Sequence, residues 1–405
     1  MIPVHGLSTN AKVVKKVNFS VYGSDAIRQN AVTRVNEIAL YTRGIPTHNG
    51  VNSLAMGSSD RRIRCTTCNE LMQKCPGHNG EIRLPLPVYQ ALYIDHTLKV
   101  LRSVCFFCSE ICLTDEDKVA LMEKYTDDKT RFNHTYAIAR TRKKCPHCKG
   151  IRPSYVRGPL GIKTEWVDKS FESEEEQEYA MQKFTPALAY SILDNIKDTD
   201  ATNFFGKGLH PRDLIATSVL VPPPIIRPAI STAEGSRTKG QDDITLRLQE
   251  INRRGNELRL CMNKQEDSGL PTFLCDANKV LPQKTDTITY TVVDRLLNVD
   301  ALTPDLIDRW NRLQADVFGL VNPAAIRGGM PASMANNNRN SANGKYIIDR
   351  IRGKNGRFRN CLMGKRVNFS GRSVITPDST IDVDQLGVPY ELAMILTVPE
   401  KVTPS

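Results

Sequence analysis

No run of apolar residues in this 405-residue chain is long enough to cross a bilayer as a helix. The first residues, MIPVHGLSTNAKVVKKVNF, have neither the apolar core nor the small-residue cleavage site of a secretory signal. The chain is therefore expected in a reducing compartment, where its 11 cysteines stay unpaired by disulfides. Acidic residues are also in deficit, 44 against 55 Lys and Arg, which leaves a net charge of +11. That excess favours a polyanionic partner, although where the charge sits matters more than its sum. At 405 residues, 40% of them hydrophobic, the chain is globular and exceeds the usual size of a single core, so two or more domains are expected.

The cysteines are clustered. In CTTCNELMQKCPGHNG, a C-x2-C pair (Cys65, Cys68) precedes a C-x2-H pair (Cys75, His78). Two more pairs follow, Cys105 and Cys108 in CFFC and Cys145 and Cys148 in CPHC. Thiolates and imidazole at this spacing suit a tetrahedral Zn2+. Two zinc sites are expected, and because each has four protein ligands, neither leaves a position open for substrate or activated water. Both sites are thus read as structural. His147 lies between Cys145 and Cys148 but is not needed as a ligand, while Cys112, Cys261, Cys275 and Cys361 read as ordinary small apolar residues.

Local patterns place helices and connectors around these sites. A helical stretch is expected near Asp25 to Ile38, and Leu92, His96, Val100 and Leu101 fit one helix face, with His96 a packed residue and not a ligand. The acidic run FESEEEQEY at 171–179 reads as a solvated surface. Thr185 with Pro186, and Thr303 with Pro304, are N-cap and first-turn signals ahead of periodic apolar residues. A third helix is expected around ITLRLQEINRRGNELRLCM; with the helix after Pro304 it forms either an antiparallel hairpin or a pair of ordinary core helices. VPPPIIRP at 221–228 has the proline density of a rigid connector.

Positive charge concentrates in KYIIDRIRGKNGRFRNCLMGKRVNFSGRSVI at 345–375. Lys345, Arg350, Arg352, Lys354, Arg357, Arg359, Lys365, Arg366 and Arg372 are opposed there only by Asp349. Few aromatics accompany them, so the composition fits contact with phosphates and not stacking on bases.

The segment LMGKRVNFSGRSVITPD, followed by LGVP, resembles the switch segment of the largest subunit of multi-subunit DNA-directed RNA polymerases. The likeness extends to LHPRDLIATSVLVPPPIIRP, to LAMGSSDRRIRCTTC and to CPGHNG, in matching order along nearly the whole chain. It is nearest the eukaryotic, archaeal and large-DNA-virus branch. The resemblance implies an α+β fold: a multi-part polymerase clamp with two structural zinc sites and a helical hairpin, leading into the start of the active-site domain. Residues 1–345 would be the clamp, with zinc sites at 65–78 and 105–148, a lid at about 229–243, the hairpin at about 243–320 and a rudder at about 322–344. Residues 346–405 would be the switch segment and the beginning of the active-site domain. Lys354, Arg357, Lys365, Arg366 and Arg372 would be the nucleic-acid contacts.

The implied partners are template DNA, the RNA–DNA hybrid, the second-largest and other polymerase subunits, and transcription factors on the hairpin, with no membrane. The compartment would be the nucleus in a eukaryotic cell, the cytoplasm in an archaeon, and the virion or the host cytoplasm or nucleus for a virus. The family holds catalytic Mg2+ with an aspartate triad of the form D-F-D-G-D, which these 405 residues do not contain. Asp382 and Asp384 in IDVDQLGVP do not replace it. The chain is accordingly expected to be an amino-terminal part of the subunit, with Mg2+ bound only in the complete subunit. The alternative is a stand-alone, non-catalytic zinc protein that binds nucleic acid.

Overall fold

The computed structural model describes residues 21–60, 62–166, 184–206, 208–231, 239–267, 303–323, 326, 346–368, 370–397 and 400–402. The acidic run at 171–179, the connection 268–302, Cys275, residues 232–238 and most of 322–344 lie outside them. Contacts divide the chain into two units, Met1–Ile347 and Ile348–Ser405.

The first unit opens with helix α1 (Ser24–Asn30). The helix expected to continue to Ile38 stops there, because the next residues pair instead as strand β1 (Thr33–Arg34), parallel to Gly80 and Glu81. Val32, Thr33 and Val35 are β-branched, which favours that extended pairing over a further helical turn. A small ribbon of β2 (Tyr41–Thr42) and β3 (Ile45–Pro46) follows. The central strand β4 (Gly80–Tyr89) lies between β1 and the antiparallel β7 (Ile215–Val221).

Strand β4 contains Pro85 and Pro87, residues that cannot donate to a ladder, and its register with β7 shifts between Arg83 and Val88. β1 pairs with β4 only at Gly80 and Glu81, and backbone groups of β4 further on are met by side chains of a helix. Trp310 donates its indole N–H to the Pro87 carbonyl at 2.9 Å. The buried Gln314 side chain accepts from Tyr89 N–H at 2.7 Å and donates to Tyr89 C=O at 2.9 Å, so one amide stands in for a strand partner.

Trp310 and Gln314 belong to α7 (Pro304–Val321), whose N-cap Thr303 accepts from Leu306 N–H. It packs on α6 (Asp243–Asp267). The two helices are antiparallel, since Arg254 lies beside Asp316 while Cys261 lies beside Asp305. Ile244, Leu248, Ile251 and Leu258 meet Leu306, Leu313, Val317 and Leu320, over β4 residues Ile82, Leu84, Leu86 and Val88. On another face of α6, Gln249, Asn252 and Asn256 donate to the carbonyls of Ile38, Glu37 and Asn36, satisfying carbonyls of the segment that follows β1.

A second core gathers α2 (Ile94–Leu101), α3 (Asp115–Lys124), α4 (Asp128–Thr141), the hairpin of β5 (Ser154–Arg157) and β6 (Ile162–Glu165), and α5 (Pro186–Asp194). Leu92 is exposed and precedes α2. The helix instead buries Ile94, Thr97, Leu98, Val100 and Leu101. His96 packs against Phe132 with ring centroids 4.9 Å apart. After β7, a short ribbon of β8 (Ile230–Ser231) and β9 (Lys239–Gly240) leads into α6. Among the described residues no helix is long and apolar enough to cross a membrane.

The second unit contains the short helix α8 (Ile347–Ile351) from its second residue on and α9 (Tyr390–Ile395), with a wide turn at Phe358–Leu362. Its described side chains are almost all exposed. Cys361 is among them.

Candidate metal centres and nucleic-acid contact residues

The structure brings Cys65, Cys68, Cys75 and His78 into one group and Cys105, Cys108, Cys145 and Cys148 into another, with the donor atoms of each within 4.8 Å of one another. The three C-x2-C loops share one construction. The N–H of the first cysteine donates to the carbonyl five residues on, in Cys65 to Glu70, Cys105 to Glu110 and Cys145 to Gly150, at 3.0, 2.9 and 3.0 Å. The residue after the second cysteine, Asn69, Ser109 or Lys149, has φ of 56, 57 or 64°. This left-handed residue closes the turn and keeps both thiols on its inner side.

In the first group, the N–H groups of Thr67 and Gly77 point at the sulfurs of Cys65 and Cys75 at 3.4 Å, an arrangement that stabilises thiolate charge. Gly77 has φ of 81°, and a Cβ there would come within 2.8 Å of the Pro223 ring. The C-P-G-H turn thus rests directly on the proline connector. Nε2 of His78 is buried and has no hydrogen-bond partner, as a nitrogen reserved for a metal would be.

In the second group, Sγ of Cys105 is 3.6 Å from that of Cys148, and Sγ of Cys108 is 3.7 Å from that of Cys145. An ion bonded to thiolates at about 2.3 Å in a tetrahedron sets them about 3.8 Å apart, so the sulfur spacings of this second group fit such an ion. The two halves of this site are joined by α3 and α4. Thr114 and Asp117 form a reciprocal capping box at the start of α3, and Asp117 also pairs with Arg142, just ahead of the second knuckle. His147 does not join the group; its Nε2 lies 3.2 Å from the Ile111 carbonyl. Cys112 is wholly buried in the cluster with Cys105 and Cys145. Its contact with Cys145, together with burial, raises its pKa far above the ordinary thiol value.

Lys354, Arg357, Lys365, Arg366 and Arg372 are all exposed. Arg357 lies 3.5 Å from the Cys361 sulfur, and among the described residues none of the five has a carboxylate at ion-pair distance. The structure does not gather these five into a pocket; they occur along an open segment.

Arg227, in the proline connector, was not singled out by the sequence pattern. It is 2% exposed and donates to the Pro222 and Val51 carbonyls, to Asn52 Oδ1 and to Thr245 Oγ1. Asn52 in turn donates to Gln241. One guanidinium therefore ties the chain that enters the first knuckle to the start of α6. Burial lowers its pKa to about 10, so it remains charged at neutral pH.

Two four-donor groups that could each hold a metal ion, on a mixed helix and sheet scaffold and followed by an exposed basic segment, define an α+β protein with two candidate metal centres. Residues 11–284 match the family RNA polymerase Rpb1, domain 1, and residues 364–405 match RNA polymerase Rpb1, domain 2. The chain belongs to this family and corresponds to the amino-terminal portion of its largest subunit. It is 30% identical over 407 residues to DNA-directed RNA polymerase II subunit RPB1 of Euplotoides octocarinatus, covering 96% of this chain and 75% of that protein. It is 29% identical to DNA-directed RNA polymerase subunit Rpo1N of Sulfolobus acidocaldarius and 28% identical to DNA-directed RNA polymerase III subunit rpc1 of Schizosaccharomyces pombe. In each case 97% of this chain is covered, but only 40% and 27% of those relatives' lengths.

Proposed function

We propose that the chain is the clamp-bearing part of the largest subunit of a DNA-dependent RNA polymerase, holding template DNA and the RNA–DNA hybrid while nucleotides are joined elsewhere in the assembled enzyme. The observation that carries this reading is the basic segment from Lys354 to Arg372, exposed and without carboxylate partners among the described residues, where the match to the second family domain begins. Such a segment offers charge to phosphates without reading sequence.

Both metal groups would hold Zn2+, bound by Cys65, Cys68, Cys75 and His78 and by Cys105, Cys108, Cys145 and Cys148. With four protein donors each, the ions brace loops and leave chemistry to others. The first would fix the knuckle against the proline connector, and through Arg227 the start of α6. The loop at about 229–243 would act as lid, α6 and α7 as the helical hairpin gripped by transcription factors, and 322–344 as rudder. The second-largest subunit and other polymerase subunits would complete the enzyme. Catalytic Mg2+ would be held by carboxylates outside these 405 residues, which contain no D-F-D-G-D triad. The chain alone should therefore not synthesise RNA on a template.

The test is replacement of Lys365, Arg366 and Arg372 by Ala, singly, in the assembled enzyme. Template affinity should fall for every base sequence, and each change should flatten the log affinity against log salt slope by roughly 0.9 on duplex or about 0.7 on single-stranded DNA. Charge reversal of the acidic residues within 172–178 is the control. Unchanged slopes in all three alanine variants, with an altered slope in the control, would put the template contact elsewhere.

A further inference from the structure

The lobe that carries the second metal group has its charges sorted along the chain. From Asp115 to Asp128 there are six carboxylates against two lysines, whereas from Lys129 to Thr164 there is no carboxylate among ten Lys and Arg. The first stretch is α3 and the turn into α4. The second contains the rest of α4 and the Cys145–Cys148 knuckle.

Several of these cations are committed to the scaffold. Arg131 pairs with Asp128, Arg142 with Asp117 and Arg157 with Asp95. Arg152 donates to the carbonyls of Ala139, Arg142 and Arg102. Arg140, Lys143 and Lys149 are different: all three are exposed, and among the described residues none has a carboxylate at ion-pair distance. They flank the knuckle. Arg140 lies in the last turn of α4, the carbonyl of Lys143 accepts from Arg152 N–H at 3.1 Å at the base of the turn, and Lys149 occupies its left-handed position. The turn itself is fixed by two metal-directed cysteines and by the close approach of Gly150 to the Phe107 ring, where a Cβ would fall 2.8 Å away.

We infer that Arg140, Lys143 and Lys149 form a second phosphate-contacting surface, on the Cys145–Cys148 knuckle, that holds the backbone of duplex DNA. This rests on the polymerase reading above, which supplies DNA as the polyanion. A duplex suits the site better than a single strand because the cations are displayed on a fixed turn and the helix end before it, and no exposed Phe, Tyr or Trp lies at 140–150 to stack on a base; the ring of His147 is held with Nε2 3.2 Å from the Ile111 carbonyl. The acidic α3 stretch of the same lobe would repel the duplex and so orient it.

The test uses the 405-residue chain loaded with zinc, a fluorescein-labelled duplex and anisotropy titrations across a range of salt. The variant Arg140→Gln/Lys143→Gln/Lys149→Gln removes three charges while keeping long side chains, which matters at the left-handed position of Lys149. Its slope of log affinity on log salt should be flatter than that of the unaltered chain by about 2.7, the sum of three phosphate contacts at roughly 0.9 each. Arg140→Lys/Lys143→Arg/Lys149→Arg should restore the original slope. Elemental analysis should find the same zinc content in all three proteins. Two results overturn the inference: an unchanged slope in the glutamine variant, or zinc loss from it, which would place these cations in the scaffold. A parallel variant with Lys365, Arg366 and Arg372 changed to Gln separates the two surfaces. A flattened slope there, with none in the knuckle variant, removes the knuckle surface and leaves the polymerase reading intact. The reverse pattern removes the switch-segment contacts alone. A chain that binds no duplex at all removes both.

Discussion

Of the buried charges, Asp316 gives the sharpest test, because its environment penalises ionisation. It lies on α7 at 2% exposure, 3.5 Å from Arg254 of α6, with Oδ2 lacking a hydrogen bond among the described residues. Burial raises its pKa to about 6 from an ordinary 3.8, against the opposing pull of Arg254. A carboxyl whose folded-state pKa is raised binds its proton more readily folded than unfolded, so stability falls as pH rises from 3.8 towards 6 and then stays level. At about pH 7 the full difference applies, of order 3 kcal/mol. Asp316→Asn removes the ionisation and leaves Arg254 its partners Glu250 and Glu257. The variant should be more stable than the parent by up to about 3 kcal/mol near pH 7, and the advantage should shrink by roughly 1.3 kcal/mol near pH 5. Denaturant unfolding with zinc held in excess at both pH values gives the comparison. A less stable variant, or an advantage that does not change with pH, would refute the assignment of a desolvated carboxylate between α6 and α7.

Cys75→Ser should reduce bound zinc from about two ions per chain to about one, measured by elemental analysis, since the two donor groups share no residue; loss of both ions would mean that the lobes fold as a single unit. Gln314→Ala should cost about 1–3 kcal/mol for each Tyr89 backbone group left unpaired, read from the denaturation midpoint, and Gln314→Glu should not rescue it, because a carboxylate cannot donate to the Tyr89 carbonyl. Thr303→Ala should cost about 1 kcal/mol by removing the cap of α7, whereas Thr303→Ser should be close to neutral.

Features set by neighbours along the chain were legible in the residues themselves. Two residues between cysteines are enough to turn the chain so that both sulfurs face one ion, and Thr-Pro before an apolar period caps a helix wherever it is packed. The knuckles and the starts of α5 and α7 are of this kind. The run of cations at 345–375 is likewise a matter of composition, and the motifs around it carry the family resemblance.

Other features depended on what lies opposite in space. The helix expected to reach Ile38 ends at Asn30, since Thr33 and Arg34 find strand partners in Gly80 and Glu81, forty-seven positions away (80 − 33). Pro85 and Pro87 sit in a central strand where its register with β7 breaks, and Trp310 and Gln314 from α7 meet the Pro87 carbonyl and the Tyr89 backbone groups. No local pattern marks a glutamine as a strand partner, Asp316 as a desolvated acid, or Arg227 as a tie among three segments. Sequence spacing determined the ligand pairs of this protein, because a knuckle closes within a few residues. How the pairs are brought together, and which polar side chains go inside, was decided by tertiary packing, because burial of a polar group is favourable only where distant backbone or charge is waiting to meet it.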